Sequence, residues 1–421
     1  MNEEHWTARK SERFGLWAFV FLDWRKMAGH QRMAEGRTSC IGCLLLSKLQ
    51  RKCQEALPIG GAFEMINVPK EKEGAGANSM AMIKLDSPFQ YKGLSLKNRI
   101  VMPPMCQYSV EAKDGAPNDW HFVHYVSRAV GGTGLIIMEM TDVDPDGRIT
   151  DYDLGLWSDE QVPAFARIIS EVQKYGTKIG IQIAHAGRKA QDAEVPVAPS
   201  PIAFSDQFKT PRALTTDEVK EMVGLFRDAA RRAVEAGVDT IELHGAHGYL
   251  IHQFHSPATN KRSDEYGQDP ALFGIEVIQA VKSVLPPEMP LIMRISAVEY
   301  IDGGYGLEYS TELCRRYREA GVDIFHITSG GEGPIGSGGR PGIHPGYQVP
   351  MARAIKEALD VPVIAVGILD DPHLAAATLG NGDADLVAVG RAMLRDPYWA
   401  LHAIKQLNGE LVPPKQYGRA F

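Results

Sequence analysis

From Met82 onward, short apolar, β-branched runs alternate with longer stretches in which apolar positions recur every three or four residues. The runs predict strands over Arg99–Met102, Leu135–Glu139, Lys178–Gln182, Thr240–His244, Pro290–Ile295, Asp323–Thr328, Val361–Val366 and Asp385–Val389. The longer stretches predict helices over Asp119–Val130, Asp159–Tyr175, Thr216–Ala236, Leu272–Val284, Thr311–Ala320, Gln348–Leu359, Pro372–Leu379 and Pro397–Leu407. The punctuation agrees. Ser158–Gln161 and Thr215–Glu218 read as capping boxes, and Asp371-Pro372 and Asp396-Pro397 place a cap before a first-turn proline. The string EAGVD occurs at Glu235–Asp239 and Glu319–Asp323; each time a glycine closes a helix and the chain turns into an apolar strand. Eight strand–helix units in about 340 residues predict a closed (β/α)8 TIM barrel, a single α/β domain over 82–421. An open doubly wound sheet is the alternative, but no GxGxxG opens a helix after the first strand.

Residues 1–81 keep no such period. They hold 12 Lys+Arg against 9 Asp+Glu, leaving 33 against 43 for the rest. The apolar run Phe14–Leu22 follows basic residues but meets no convincing cleavage site, and Glu3, Glu4 and Glu12 argue against a transit peptide. Cys40 and Cys43 form a CxxC with no partner pair, and Lys70–Ser79 reads as a flexible linker. The segment is expected to be a poorly ordered extension, translated from upstream of a start at Met80 or Met82.

Composition narrows the function classes. The chain has 421 residues, 44% of them hydrophobic, and a formal charge of −7, which gives no electrostatic case for a nucleic-acid partner. No run of 18 apolar residues predicts a membrane span. Five Cys make no disulfide framework, so a cytoplasmic location is expected.

Barrel chemistry gathers where strands end. The first strand runs into Pro103-Pro-Met-Cys-Gln-Tyr108, and the third into Gln182 and His185-Ala-Gly-Arg-Lys189. The fourth runs into His244-Gly-Ala-His-Gly-Tyr249, and the fifth carries Arg294. The sixth ends in Ser329-Gly-Gly331, the seventh in Gly367 and the eighth in Gly390-Arg391. Glycines and an arginine at three successive strand ends favour a phosphate-bearing ligand over glycines that merely permit turns. His244 and His247 could be zinc ligands, but neither the first nor the eighth strand supplies the others. The alternative is a pair of donors gripping one oxygen, with the Tyr249 hydroxyl as an acid. Lys189 sits several residues past its strand, which suits charge stabilisation better than Schiff-base chemistry.

Together, Pro104–Ser109, Gln182–Lys189, His244–Phe254, Ser263–Gly267, Gly390-Arg391 and Gln416–Phe421 closely resemble the old yellow enzyme family of FMN-dependent ene-reductases. The likeness spans the whole barrel and is nearest to the bacterial NADPH dehydrogenase subgroup. It implies FMN, with NADPH as reductant, and small-molecule enones, quinones or nitro compounds as substrates. It also implies that Pro104, Met105, Cys106, Met140, Gln182, Lys189 and Arg294 lie at the flavin. Ser329, Gly330, Gly367, Gly390 and Arg391 would hold its phosphate. His244 and His247 would bind the substrate carbonyl with Tyr108 nearby, and Tyr249 would protonate the α-carbon. Arg419 would enter a neighbouring subunit's site, which implies a homodimer or homotetramer; no metal is implied.

Three departures stand out. The stretch Gln268–Phe273 is about three residues shorter than the resemblance implies, Phe421 replaces a common Trp, and Met140 replaces a small residue. Other classes make distinct forecasts. A metal-dependent hydrolase barrel would be colourless and hold zinc, whereas a flavin protein without turnover would be yellow but unbleachable. A dienoyl-thioester reductase relative would carry further domains after the barrel.

Overall fold

Every apolar run predicted between Arg99 and Val389 contains a parallel strand, and the eight close into a barrel in chain order. The computed structural model describes residues 83–421; the expectations for residues 1–81, and for a start at Met80 or Met82, lie outside the described residues. The strands are β1 (Ile100–Met102), β2 (Leu135–Asp142), β3 (Lys178–Ala184), β4 (Thr240–Gly245), β5 (Leu291–Ser296), β6 (Ile324–Thr328), β7 (Val363–Ala365) and β8 (Leu386–Ala388). β1 pairs with both β8 and β2, which closes the ring. Around it lie α1 (Asp119–Val130), α2 (Val162–Gln173), α3 (Thr216–Glu235), α4 (Leu272–Lys282), α5 (Leu307–Ala320), α6 (Val349–Leu359), α7 (Pro372–Gly380) and α8 (Trp399–Gln406).

The interior changes character along the barrel axis. At the amino ends of the strands, Val101, Leu135, Ile137, Ile292, Ile324, Ile364 and Leu386 form one apolar layer. A hairpin, Phe89–Tyr91 paired with Leu94–Leu96, contributes Phe89, Leu94 and Leu96 to the same layer. Its turn is tied to the loop before β5, where the Gly93 N–H donates to Glu288 O at 2.8 Å. One step up, the inward positions become polar: Gln182, Glu242, Arg294 and His326, all buried.

The EAGVD repeat has a physical reason. Asp239 accepts the N–H of Ile179 at 3.0 Å, and Asp323 accepts that of Leu291 at 3.0 Å. Asp385, from the related string GDAD, accepts that of Val363 at 2.9 Å. Each carboxylate at the foot of one strand pins the register of its neighbour. The preceding glycines, Gly237 and Gly321, have φ of +93° and +128°, which turn the chain out of the helix without a Cβ penalty.

Differences from expectation are local. The predicted helix at Asp159 begins as a 3-10 turn, Asp159–Gln161, and becomes α2 only at Val162, with Pro163 in its first turn. α5 starts at Leu307 rather than Thr311, because buried Ser310 anchors the extra turn through Oγ to Ala297 O at 2.8 Å. α8 starts at Trp399, since Asp396 caps a separate turn by accepting the Tyr398 N–H. β2 runs three residues past Glu139 and slips register between Met138 and Met140. The short helices Leu250–His255 and Arg391–Arg395 carry no periodic signal of their own. The shortened stretch after Gly267 is well tied. Asp269 takes a bidentate ion pair from Arg316 at 2.6 and 2.6 Å, and buried Tyr266 donates to Glu276 at 2.8 Å. Among the described residues no helix is long and apolar enough to cross a membrane.

Candidate active site

The carboxyl ends of β5 to β8 and of β1 surround a cavity of about 240 Å³. Pro104, Met105, Arg294, Gly367, Gly390 and Arg391, six residues singled out from the sequence, line it, together with Thr328, Tyr347 and Gln348. A Cβ on Gly367, whose φ is +125°, would stand 3.1 Å from the Gln348 side chain, so glycine keeps the wall thin there. Arg294 is buried, its Nε has no hydrogen-bond partner, and burial holds its pKa below the ordinary arginine value. A buried, unpartnered guanidinium facing a cavity lacks the acceptor that would offset its desolvation. The donor set therefore fits a ligand with a phosphate at the glycine end and hydrogen-bond acceptors over Arg294.

Gln182 does not line that cavity. Its Nε2 donates to Glu242 Oε1 at 2.6 Å, and Glu242 Oε2 pairs with His326 Nδ1 at 2.8 Å. This buried string forms the floor beneath Arg294, and the Glu242 carboxylate supplies the opposite charge. Sequence reasoning passed over Glu242 and His326. The available signal was their period-two placement as polar residues inside the apolar strands β4 and β6.

Beside the cavity stand His244, His247 and Tyr249. The ring centroids of His244 and His247 are 5.3 Å apart, and those of His244 and Tyr249 4.7 Å, both edge to face. Burial first, then the cationic Arg294, holds both imidazoles well below their ordinary pKa, so both are neutral at pH 7. Burial pushes the Tyr249 phenol well up, so it keeps its proton. His247 adopts a φ of +57° and Gly248 one of +73°. This turn is clamped from three sides. Lys189 Nζ donates to His247 O at 2.8 Å and to Gly331 O at 3.2 Å. The His247 N–H donates to Ser296 Oγ at 3.1 Å, and the Gly248 N–H to His252 Nδ1 at 2.9 Å. Lys189 also lies over the Tyr249 ring, 4.8 Å from its centroid, and burial pushes its ammonium down to about 8.

Cys106, Met140 and Tyr249 meet over a small apolar cluster with Ile149, Ala184, Ala186 and Ala190. Met140 thus fills the wall under Tyr249 and Cys106. Burial, then Glu139, pushes the Cys106 thiol well up, which keeps it protonated. Tyr108 is half exposed, with a φ of +51°. Ser329 Oγ accepts from Gln348 Nε2 at 2.8 Å, and Gly330, with φ +73°, packs on the Tyr300 ring. Arg419 is exposed on the C-terminal turn, a segment that packs on α8 through Tyr417 on Tyr398 and Phe421 on His402.

Two further groups escaped the sequence reading. Glu139 sits at the β2 register slip, accepts the Gln107 N–H at 2.6 Å and the Tyr125 hydroxyl at 2.9 Å, and is pushed by burial up to about 8. Below the turn, His252, Glu299 and Glu332 bring ligand-type atoms within 4.8 Å of one another. Arg188 pairs with Glu332 at 3.0 Å, and His252 Nε2 lies within hydrogen-bond distance of Glu299 at 2.9 Å, so each of the three is already engaged by a neighbouring side chain.

A family model described as the NADH:flavin oxidoreductase / NADH oxidase family matches residues 84–410. An NADPH dehydrogenase of Listeria monocytogenes is 48% identical over 344 residues, covering 81% of this chain and 100% of its own. Among solved structures, a morphinone reductase aligns with a TM-score of 0.68 at 29% identity, over 80% of this chain and 93% of that one. A 2-naphthoyl-CoA reductase complex aligns with a TM-score of 0.72 at 23% identity, over 77% of this chain. This chain spans 52% of that longer one, and at such identity the likeness concerns the fold alone.

Proposed function

The chain belongs to the NADH:flavin oxidoreductase / NADH oxidase family, as its old yellow enzyme motifs foretold, and on that footing we propose that it is an FMN-dependent NADPH dehydrogenase reducing the alkene of α,β-unsaturated carbonyl compounds. The observation that carries this reading is the neutral His244–His247 pair beside a proton-bearing Tyr249, at the rim of a cavity lined by Gly367, Gly390 and Arg391. FMN, when bound, supplies hydride transfer from NADPH to the β-carbon of an activated alkene.

The chain's own residues then divide the work. Ser329, Gly330, Gly367, Gly390 and Arg391 hold the phosphate, through backbone N–H groups and one guanidinium. Pro104, Met105 and Met140 shape the flavin wall, while Cys106 adjusts its surroundings as a neutral thiol. Arg294 faces the pyrimidine end, with Gln182 in the buried string beneath it and Lys189 at the same edge, where positive charge favours the reduced, anionic cofactor. His244 and His247 donate to the substrate carbonyl oxygen, which draws electrons from the alkene and stabilises enolate character. Tyr249 donates a proton to the α-carbon, and Tyr108 closes over the carbonyl end. Arg419 completes a neighbouring subunit's site in a symmetric dimer or tetramer.

The visible spectrum tests the whole reading. Purified protein with FMN shows a flavin spectrum that bleaches with anaerobic NADPH and returns when cyclohexenone is added. A colourless protein that refuses added FMN would point to the metal-hydrolase class instead. A yellow protein that NADPH cannot bleach would point to binding without turnover.

A further inference from the structure

We propose that Thr328 sets the tautomer of His247, fixing its proton on Nδ1 so that this nitrogen becomes a donor to the carbonyl. The inference rests on the reading of His244 and His247 as the carbonyl grip.

Gln348 Nε2 lies 3.1 Å from Thr328 Oγ1 and 2.8 Å from Ser329 Oγ. An amide nitrogen carries two hydrogens, and both are used on these hydroxyl oxygens. Thr328 Oγ1 therefore spends one of its two lone pairs on Gln348 and keeps one hydrogen to place, and among the described residues His247 is its only other hydrogen-bond partner. The imidazole Nε2 of His247 stands 3.0 Å away. Thr328 donates to it, and a neutral ring that accepts at Nε2 keeps its proton on Nδ1. Thr328 and Gln348 are both buried side chains in the wall of the cavity. A β-branched side chain at the end of a strand holds χ1 stiffly, which fixes the position of Oγ1 beside the imidazole.

His244 takes the opposite tautomer and still presents a donor. Its Nδ1 accepts the N–H of Ala246, two residues on, at 3.3 Å, which leaves the proton on Nε2. The pair therefore offers two N–H donors from opposite ring positions, one set by the turn's own backbone and one by β6. The other tautomer of His247 would aim a lone pair at the carbonyl oxygen. Because Gln348 also lines the cavity and holds Ser329, the wall that holds the cofactor's phosphate arm orients the catalytic imidazole too.

The test reads the tautomer directly. Protein labelled with ¹⁵N-histidine and loaded with FMN is examined by long-range ¹H–¹⁵N spectroscopy, with His247 identified by its loss in His247→Asn. Wild-type protein shows a protonated Nδ1 and a bare Nε2. Thr328→Val shifts the proton toward Nε2 and slows cyclohexenone reduction by the pre-reduced enzyme by about 10- to 100-fold at unchanged FMN content. Thr328→Ser restores both. A protonated Nε2 in the wild type overturns the proposal, and that reading is available even if Thr328→Val fails to fold. An unchanged tautomer in a folded Thr328→Val overturns it as well. Wild-type protein unable to reduce cyclohexenone would instead overturn the functional reading, while the spectrum would still decide the tautomer.

Discussion

A Cβ built on Gly331 stands 2.7 Å from the Cα of His247. The approach is reciprocal, since a Cβ on Gly248 would stand 2.5 Å from Gly331 O. The loop after β6 thus holds the His247–Gly248 turn by backbone contact, and Gly331 has a φ of +92° besides. Gly331→Ala is expected to lower enone turnover at least about tenfold and to destabilise the fold by about 1–3 kcal/mol. Gly339→Ala is the control: its φ is +65°, but nothing lies within 4 Å of its Cβ, so only the smaller backbone cost of about 1 kcal/mol remains. Steady-state kinetics and urea unfolding of the two variants separate the effects.

Removing the donors should spare the cofactor. The double variant His244→Ala, His247→Ala is expected to reduce cyclohexenone about 10²- to 10⁴-fold more slowly while retaining its flavin spectrum and FMN content. Unchanged turnover would refute the assignment of both rings.

Cys106 is expected to tune rather than to react. Burial and Glu139 keep its thiol protonated, so it is a weak hydrogen-bond partner and no nucleophile at neutral pH. Cys106→Ala should move the flavin midpoint potential on the order of 30 mV, equivalent to about 1.4 kcal/mol for two electrons, and keep turnover measurable. Spectroelectrochemical titration gives the shift.

Glu139 makes stability depend on pH. Its carboxyl is pushed up to about 8 by burial, from an ordinary 4.5. Between these values the folded chain holds a proton that the unfolded chain has released. Stability from this group therefore falls as pH rises from 4.5 toward 8, by at most about 1.4 kcal/mol per pH unit. Glu139→Gln removes the titration, and its unfolding midpoint in urea should decline less than the wild type's between pH 5.5 and 8. Parallel pH profiles would place the proton elsewhere.

The C-terminal turn supplies a fifth expectation. A chain ending at Pro414 lacks Arg419 and the aromatic contacts on α8. If Arg419 serves a neighbouring site, KM for the enone rises about tenfold, the equivalent of one charge-assisted hydrogen bond, with FMN content unchanged. Mixing this truncated chain with an inactive full-length double His variant should then restore part of the activity in hybrid oligomers.

Most of the barrel was legible because the chain repeats one device. An apolar run, a capped amphipathic helix and a closing glycine recur, and each link is local enough to read from neighbouring residues. The candidate site was legible where short strings follow strand ends that the barrel gathers at one face, as with Gly390-Arg391 and His244–Tyr249. What escaped depends on non-local contact. Glu242 meets Gln182 on the neighbouring strand and His326 on the next but one, over 60 and 84 residues of chain. Thr328 reaches His247 over 81 residues. Glu139 gained its place from a register slip that nothing in MEMTD announces. A polar residue in an apolar strand marks that something inside needs it, but not what.

The hairpin that adds Phe89, Leu94 and Leu96 to the lowest layer gives the barrel a floor as well as a core. A vessel with a sealed base has a single mouth. On the proposed reading, reductant and oxidant share the one binding place this mouth serves, so they take turns there, and the kinetics should be ping-pong with each reactant in excess inhibiting by occupying the other's place.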